Sequence, residues 1–201
     1  MEKDTRDKLI DAGEKLFAER GLSGASIREL AKEAGANSAL ISYHFGGKEG
    51  LYSAIIEKQF SPISLLLDSV GLIKASPSEK IIRYAQGVAI VHSKAPFLTK
   101  FLMREMLNQP SPFFEPFIQK YIRRVYGFLT ATLQDGMDCG EFRRDMDINA
   151  AALALAGMMN FYFIARPIAR QFVPDSAEQG EFFVGQAVEI FLNGVKNHGN
   201  Q

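Results

Sequence analysis

The chain has 201 residues, with 23 Lys plus Arg against 23 Asp plus Glu, 47% hydrophobic residues, one Cys and no Trp. That balance excludes a disordered chain and a polycation: there is apolar material for a real core, and any attraction to nucleic acid must come from a local surface. Cys139 stands alone, which excludes an intrachain disulfide and a cysteine-based zinc framework, and no stretch approaches the ~18 uninterrupted apolar residues of a membrane span. A charged amphipathic pattern follows Met1 directly, so a cytoplasmic protein without membrane insertion is expected.

Helical periodicity runs through almost every window and no sustained period-2 run appears, so the expected fold class is all-α. Asp4 or Thr5 caps a first helix whose Leu9, Ala12, Gly13, Leu16 and Phe17 form one stripe, ending near Gly21, where glycine accepts a left-handed turn. Ser26-Ile27-Arg28-Glu29 is a capping box that opens a second helix, with Ile27, Leu30, Ala31 and Ala34 as its apolar face. Gly35 stops it after about two turns. Asn37 or Ser38 then caps a third, short helix carrying Leu40, Ile41 and Phe45, and Gly46-Gly47 breaks the chain before a longer helix that starts at Lys48 and heads towards Pro62.

From Phe60 onward the composition shifts, with 14 of the 16 Phe in this part. The boundary is therefore placed between an N-terminal domain, 1–59, and a more apolar helical domain, 60–201. Ser76-Pro77, Ala95-Pro96, Gln109-Pro110, Gly140 and Val173-Pro174 punctuate the second domain into five or six helices.

A helix, a glycine turn and a short helix over residues 30–45 form a helix-turn-helix, whose second helix enters the major groove while the first braces it. Leu40, Ile41 and Phe45 anchor the short helix, leaving Ser38, Ala39, Ser42, Tyr43 and His44 to look outward. No acidic residue lies between Gly35 and Gly47, so nothing there repels phosphate. Other readings stay open at single positions: Ser26 as a cap alone, Tyr43 as a structural aromatic, and Arg28 as partner to a neighbouring carboxylate.

Ile27-Arg28-Glu29-Leu30-Ala31, Ala34-Gly35-Ala36, Ile41-Ser42-Tyr43-His44-Phe45 and Lys48-Glu49-Gly50-Leu51 together make residues 5–56 resemble the DNA-binding domain of the TetR family of bacterial transcriptional repressors. The departures are local: Ser42 stands where the family often has Tyr, and Asn37 where it often has Ser. The resemblance implies a three-helix reading head, a ligand-binding and dimerising C-terminal domain, and binding to a palindromic operator. It implies phosphate contacts from Ser26, Tyr43 and Lys48, base-edge contacts from Arg28, Ser38, Ala39 and Ser42, and places for Asn37 and His44 in the same contact set.

A single helix-turn-helix makes too few contacts for firm specific binding, so a homodimer is expected. By resemblance, residues 148–168 and 178–196 supply the interface, with Ala151, Leu155, Met159, Phe183, Ala187, Ile190 and Phe191 in it. The aromatic and Met content points to an apolar effector pocket, for which Phe97, Phe101, Met103, Phe113, Phe117, Tyr121, Phe128, Met158, Phe161 and Tyr162 are the candidates. Arg104-Glu105 with Asn108 and the Pro110-Ser111-Pro112-Phe113-Phe114 loop resembles a stretch of one TetR-like subgroup.

Catalysis is not expected. Cys139 has no His or basic cluster beside it in sequence, His92 and His198 lack metal-ligand spacing, and there is neither a Gly-x-Ser-x-Gly elbow nor a phosphate-cradling glycine loop. No cofactor or metal is called for. The competing class is a helical hydrophobe carrier with a vestigial DNA-binding head. It is told apart from a regulator by the lack of any DNA sequence preference.

Overall fold

The structure, a computed structural model, describes residues 4–107, 114–172 and 177–197. Among them all regular structure is helical: α1 Thr5–Gly24, α2 Ile27–Ala34, α3 Ala39–Phe45, α4 Lys48–Gly71, α5 Pro77–Lys94, α6 Leu98–Leu107, α7 Phe114–Phe117, a π-helical turn Ile118–Ile122, α8 Arg123–Asp138, α9 Ile148–Ala169 and α10 Ala177–Val195. A lone antiparallel bridge joins Phe142 and Lys196.

Two packing units emerge. The first holds 4–61 together with 96–107 and 114–115; the second holds 62–95, 116–172 and 177–197. The sequence expectation of a 1–59 domain therefore needs an addition. α6 was expected in the C-terminal domain, but it packs with the N-terminal helices, where Leu98 and Phe101 are buried and the Phe101 ring meets Tyr52 at 5.9 Å. Helix α4 also differs from expectation, since it carries Pro62 in its interior and continues to Gly71. Proline costs a hydrogen bond there, but Phe60, Leu67 and Val70 are buried on either side of it, and burial of that size outweighs one lost bond.

In the first unit, Leu9, Leu16, Phe17, Leu30, Ile41, Leu51, Tyr52 and Ile55 form the core. Phe17 and Tyr52 meet edge to face at 5.3 Å. In the second, Ile81, Val88, Leu129, Leu133, Phe142, Ala152, Leu155, Met159, Val184 and Val188 are packed together. Its last helix is tied down by Arg143 N–H donating to Val195 O at 2.9 Å and Asn197 N–H to Glu141 O at 3.0 Å.

Helix α9 corrects one exclusion. An 18-residue window of this 22-residue helix has a mean hydropathy of 1.6, so the helix is long and apolar enough to cross a membrane by length and composition. Here one face, carrying Ala152, Leu155, Met159 and Tyr162, is buried in the core of the second unit, while Leu153, Phe161 and Ile168 face outward.

Candidate nucleic-acid interface

The reading pair is built by local chemistry. Ser26 caps α2 as the sequence predicts: its hydroxyl accepts from Glu29 N–H at 3.2 Å while the Glu29 carboxylate accepts from Ser26 N–H at 2.9 Å. The same hydroxyl donates to Glu29 Oε2 at 2.7 Å, so its proton is committed inside the protein. Gly35 ends α2 in the left-handed conformation, φ 61°, with its N–H on the Ala31 and Lys32 carbonyls. Asn37, not Ser38, then supplies the cap of α3: its Oδ1 accepts from Ala39 N–H at 2.9 Å, while the Ser38 side chain makes no cap bond.

Ile41 is the anchor of α3, fully buried, with Leu40 and Phe45 half-buried beside it. Asn37, Ser38, Ala39, Ser42 and Tyr43 are exposed. Tyr43 is 81% exposed, which removes the reading of it as a structural aromatic. His44 is half-buried, its ring edge-on to Tyr43 at 5.0 Å. Gly46, at φ 74°, closes α3, and Gly50 lets α4 pass against it, because a Cβ at Gly50 would overlap the Phe45 carbonyl oxygen.

The cations are distributed more subtly than their spacing shows. Lys48 is half-buried and its ammonium donates to the Ala25 carbonyl at 3.2 Å, leaving two further N–H groups. The two carboxylates of α2 are both held by α1: Arg20 meets Glu29 at 2.9 Å and Lys15 meets Glu33 at 2.6 Å. Glu29 is held below the usual carboxylate range by the Ser26 hydroxyl and amide, then by Arg20, and Glu33 by the hydrogen bond and charge of Lys15. With its neighbouring acids so engaged, Arg28 is exposed and forms no ion pair among the described residues. Sequence reasoning missed Arg6, whose guanidinium lies over the Phe45 ring at 5.3 Å, beside the end of α3. It also missed the α1 cations. Both arise from contacts across helices, for which the only sequence signal is a basic residue in α1.

The effector candidates do not converge on one cavity. Phe97, Phe101 and Met103 lie on the segment that packs with the N-terminal helices, and Phe101 is fully buried. Phe113 lies outside the described residues, as do Asn108 and His198. Phe117, Tyr121 and Tyr162 are buried in the second unit and Phe128 is half-buried there. Phe161 is 61% exposed and, with Met158, lines an open groove of about 520 Å³ whose other walls are Ala154, Gly157, Phe183, Gln186, Ala187 and Ile190.

Three of the interface candidates need the opposite correction. Leu155, Met159 and Phe191 are buried in the core of the second unit, so they are not available to a partner. The outward stripe of α9 and α10 runs instead through Leu153, Phe161, Ile168, Phe182 and Ile190, with Ala151 and Phe183 half-buried and Ala187 buried at the groove floor.

Comparison with known proteins agrees with this geometry. Residues 9–55 match the model described as bacterial regulatory proteins of the tetR family, and residues 79–194 match that of the C-terminal domain of the HTH-type transcriptional dual regulator CecR. The probable HTH-type transcriptional regulator YttP of Bacillus subtilis is 32% identical over 108 residues, 53% of this chain and about half, 52%, of its own length. The HTH-type transcriptional repressor NicS of Pseudomonas putida is 25% identical over 159 residues, covering 79% of this chain and 75% of that protein. The solved structure of the ketosteroid transcriptional regulator KstR2 of Mycobacterium tuberculosis superimposes with a TM-score of 0.78 at 18% identity, over 98% of each chain. With a matched reading head and a matched domain spanning more than half of its length, the chain belongs to the TetR family of bacterial DNA-binding transcriptional regulators and is not an enzyme.

Proposed function

We propose that the protein is a ligand-responsive repressor that binds a palindromic operator as a homodimer in the cytoplasm and is released by a small apolar or amphipathic effector. The observation that carries the reading is the acid-free exposed face of α3, where Ser38, Ala39, Ser42 and Tyr43 stand clear of the core beside Arg28, which has no ion-pair partner among the described residues. Arg28 is the group able to read a guanine through its O6/N7 pair, and Ser26, Tyr43, His44 and Lys48 serve phosphates, Ser26 by exchanging Glu29 for the anion. Asn37 keeps its amide nitrogen for DNA while its oxygen caps α3.

The homodimer is supported by the outward apolar stripe of α9 and α10, whose small residues Ala154 and Gly157 permit close approach of a second copy. For the effector, Phe117, Tyr121, Phe128 and Tyr162 share the second unit and form the proposed contact set. An effector acts only through its different affinity for DNA-competent and incompetent states.

Selection of bound duplexes from a random pool is the deciding test. It should enrich an inverted repeat whose half-sites lie one helical turn, or a multiple, apart. No enrichment over non-specific binding would overturn the regulator reading in favour of the hydrophobe carrier. Because few cations sit on the reading face, the log–log salt slope of operator affinity should be no steeper than about −6.

A further inference from the structure

Arg104 belongs to the stretch that the DNA-binding reading leaves unused, and its surroundings are specific. It lies on α6 one turn beyond Phe101, the residue that seats this helix against Tyr52. From there its guanidinium reaches α1 just before Gly21: Nη2 donates to the Glu19 carbonyl at 2.9 Å and, more loosely, to Ala18 O at 3.4 Å, and Nε is buried without a hydrogen-bond partner among the described residues. The helical run of α1 is interrupted at Gly21, φ 74°, so the carbonyls just before it lie at a local helix end. A cation is the right group for that negative helix end. Gly21 is fitted to it as well, since a Cβ there would stand 2.7 Å from Arg104 Nη1.

Directly after Ala18 and Glu19 in the chain comes Arg20, whose side chain holds Glu29, which in turn caps α2 through Ser26. We propose that Arg104 is a positioning residue for DNA binding: its guanidinium closes the open end of α1 and so fixes the Arg20–Glu29–Ser26 connection that sets the start of the bracing helix α2. It touches no DNA itself. The inference rests on the DNA-binding reading above, and its readouts separate the two.

The experiment compares the full chain with its Arg104→Met, Arg104→Lys and Gly21→Ala variants, at a temperature where circular dichroism shows each folded, on the duplex enriched by selection. Arg104→Met should weaken operator binding about tenfold, the effect of losing one charge-assisted contact. Arg104→Lys should recover part of that loss, because a single ammonium keeps the charge and forfeits the fork. Gly21→Ala, which crowds the guanidinium and also strains its own backbone at φ 74°, should weaken binding at least as much as the Met variant. The salt slope should not change. In the DNA-free protein, amide exchange at residues 22–29 should accelerate in the Met variant.

Two results would overturn the proposal: affinity of the folded Met variant within twofold of the parent, or a salt slope shallower by about 0.9, which would make Arg104 a phosphate ligand. If the parent itself selects no duplex, the DNA-binding reading fails, and amide exchange still decides whether Arg104 closes α1.

Discussion

His92 on α5 is buried in the second unit, 8% exposed, with its ring stacked on Phe163 at 3.9 Å and Nε2 2.9 Å from Asn160 Oδ1. Asn160 Nδ2 donates to Ala156 O, which turns Oδ1 towards the imidazole and makes Nε2 the protonated nitrogen of a neutral ring. Burial pushes the pKa down from 6.5 to about 4, against the opposing pull of the Asn160 hydrogen bond. A depressed histidine in the folded state means that the unfolded chain binds the proton more readily. Its neutral form is therefore fully accommodated above pH 6.5, and stability is lost as pH falls from 6.5 towards 4. The full shift corresponds to about 3 kcal/mol, of which about 2 kcal/mol is already lost at pH 5. Urea unfolding of the parent and of His92→Gln, at fixed protein concentration and at about pH 7.5, 6 and 5, reads this directly. The parent should lose about 2 kcal/mol more than the variant between the first and last conditions. Equal losses in the two proteins would show that His92 is charged or solvated in the folded state, and would refute the reasoning.

Three other substitutions test separate parts of the structure. Ser26→Ala should cost about 1 kcal/mol of stability through the lost cap; if operator affinity then matches the parent at a temperature where both are folded, Ser26 is a cap and not a phosphate ligand. Gly50→Ala should cost at least about 2 kcal/mol by thermal denaturation, because the added methyl has only the rigid Phe45 carbonyl to displace; a melting temperature like the parent's would show that α3 and α4 do not cross as described. Phe161→Glu combined with Ile190→Glu should raise the dimer dissociation constant about thirtyfold or more in sedimentation equilibrium, and an unchanged dimer would move the interface away from this groove.

Much of the fold was legible because it is written in short-range chemistry. The Ser26/Glu29 box, the helix start at Ser76-Pro77, the left-handed Gly35 and Gly46, and the stop before Gly140 each act within a few residues, and each falls where the pattern predicts. Pro62 misled for the opposite reason. A proline's local penalty is visible in sequence, while the burial of Phe60, Leu67 and Val70 that overcomes it is tertiary. Helices α9 and α10 show a second limit. Both are apolar on more than one face, so periodicity marks the stripes without telling which one the molecule keeps for itself, and Leu155, Met159 and Phe191 fell on the inward side. Nor does an aromatic count assign rings to a cavity: Phe101 serves the core of one unit and Phe161 the surface of the other.

The exposed face of α3 was predictable because a seven-residue helix with one deeply buried residue, Ile41, has little choice about which side it turns out. Its electrostatics were not, and they bear on how a chain of zero net charge meets a polyanion. α2 carries Glu29 and Glu33, and a bare carboxylate near phosphate is repulsive over roughly a Debye length, about 8 Å at physiological salt. Arg20 and Lys15 stand 2.9 Å and 2.6 Å from those carboxylates, so each pair presents a dipole whose field dies away faster with distance than that of a charge. The head thus lowers repulsion by pairing its own acids rather than by adding cations. Arg28 has no ion pair among the described residues, and in the proposed function its guanidinium meets a base or a phosphate. Binding organised in this way draws little on counterion release, which is why a shallow salt slope and a strong dependence on Arg28 belong to the same physical picture.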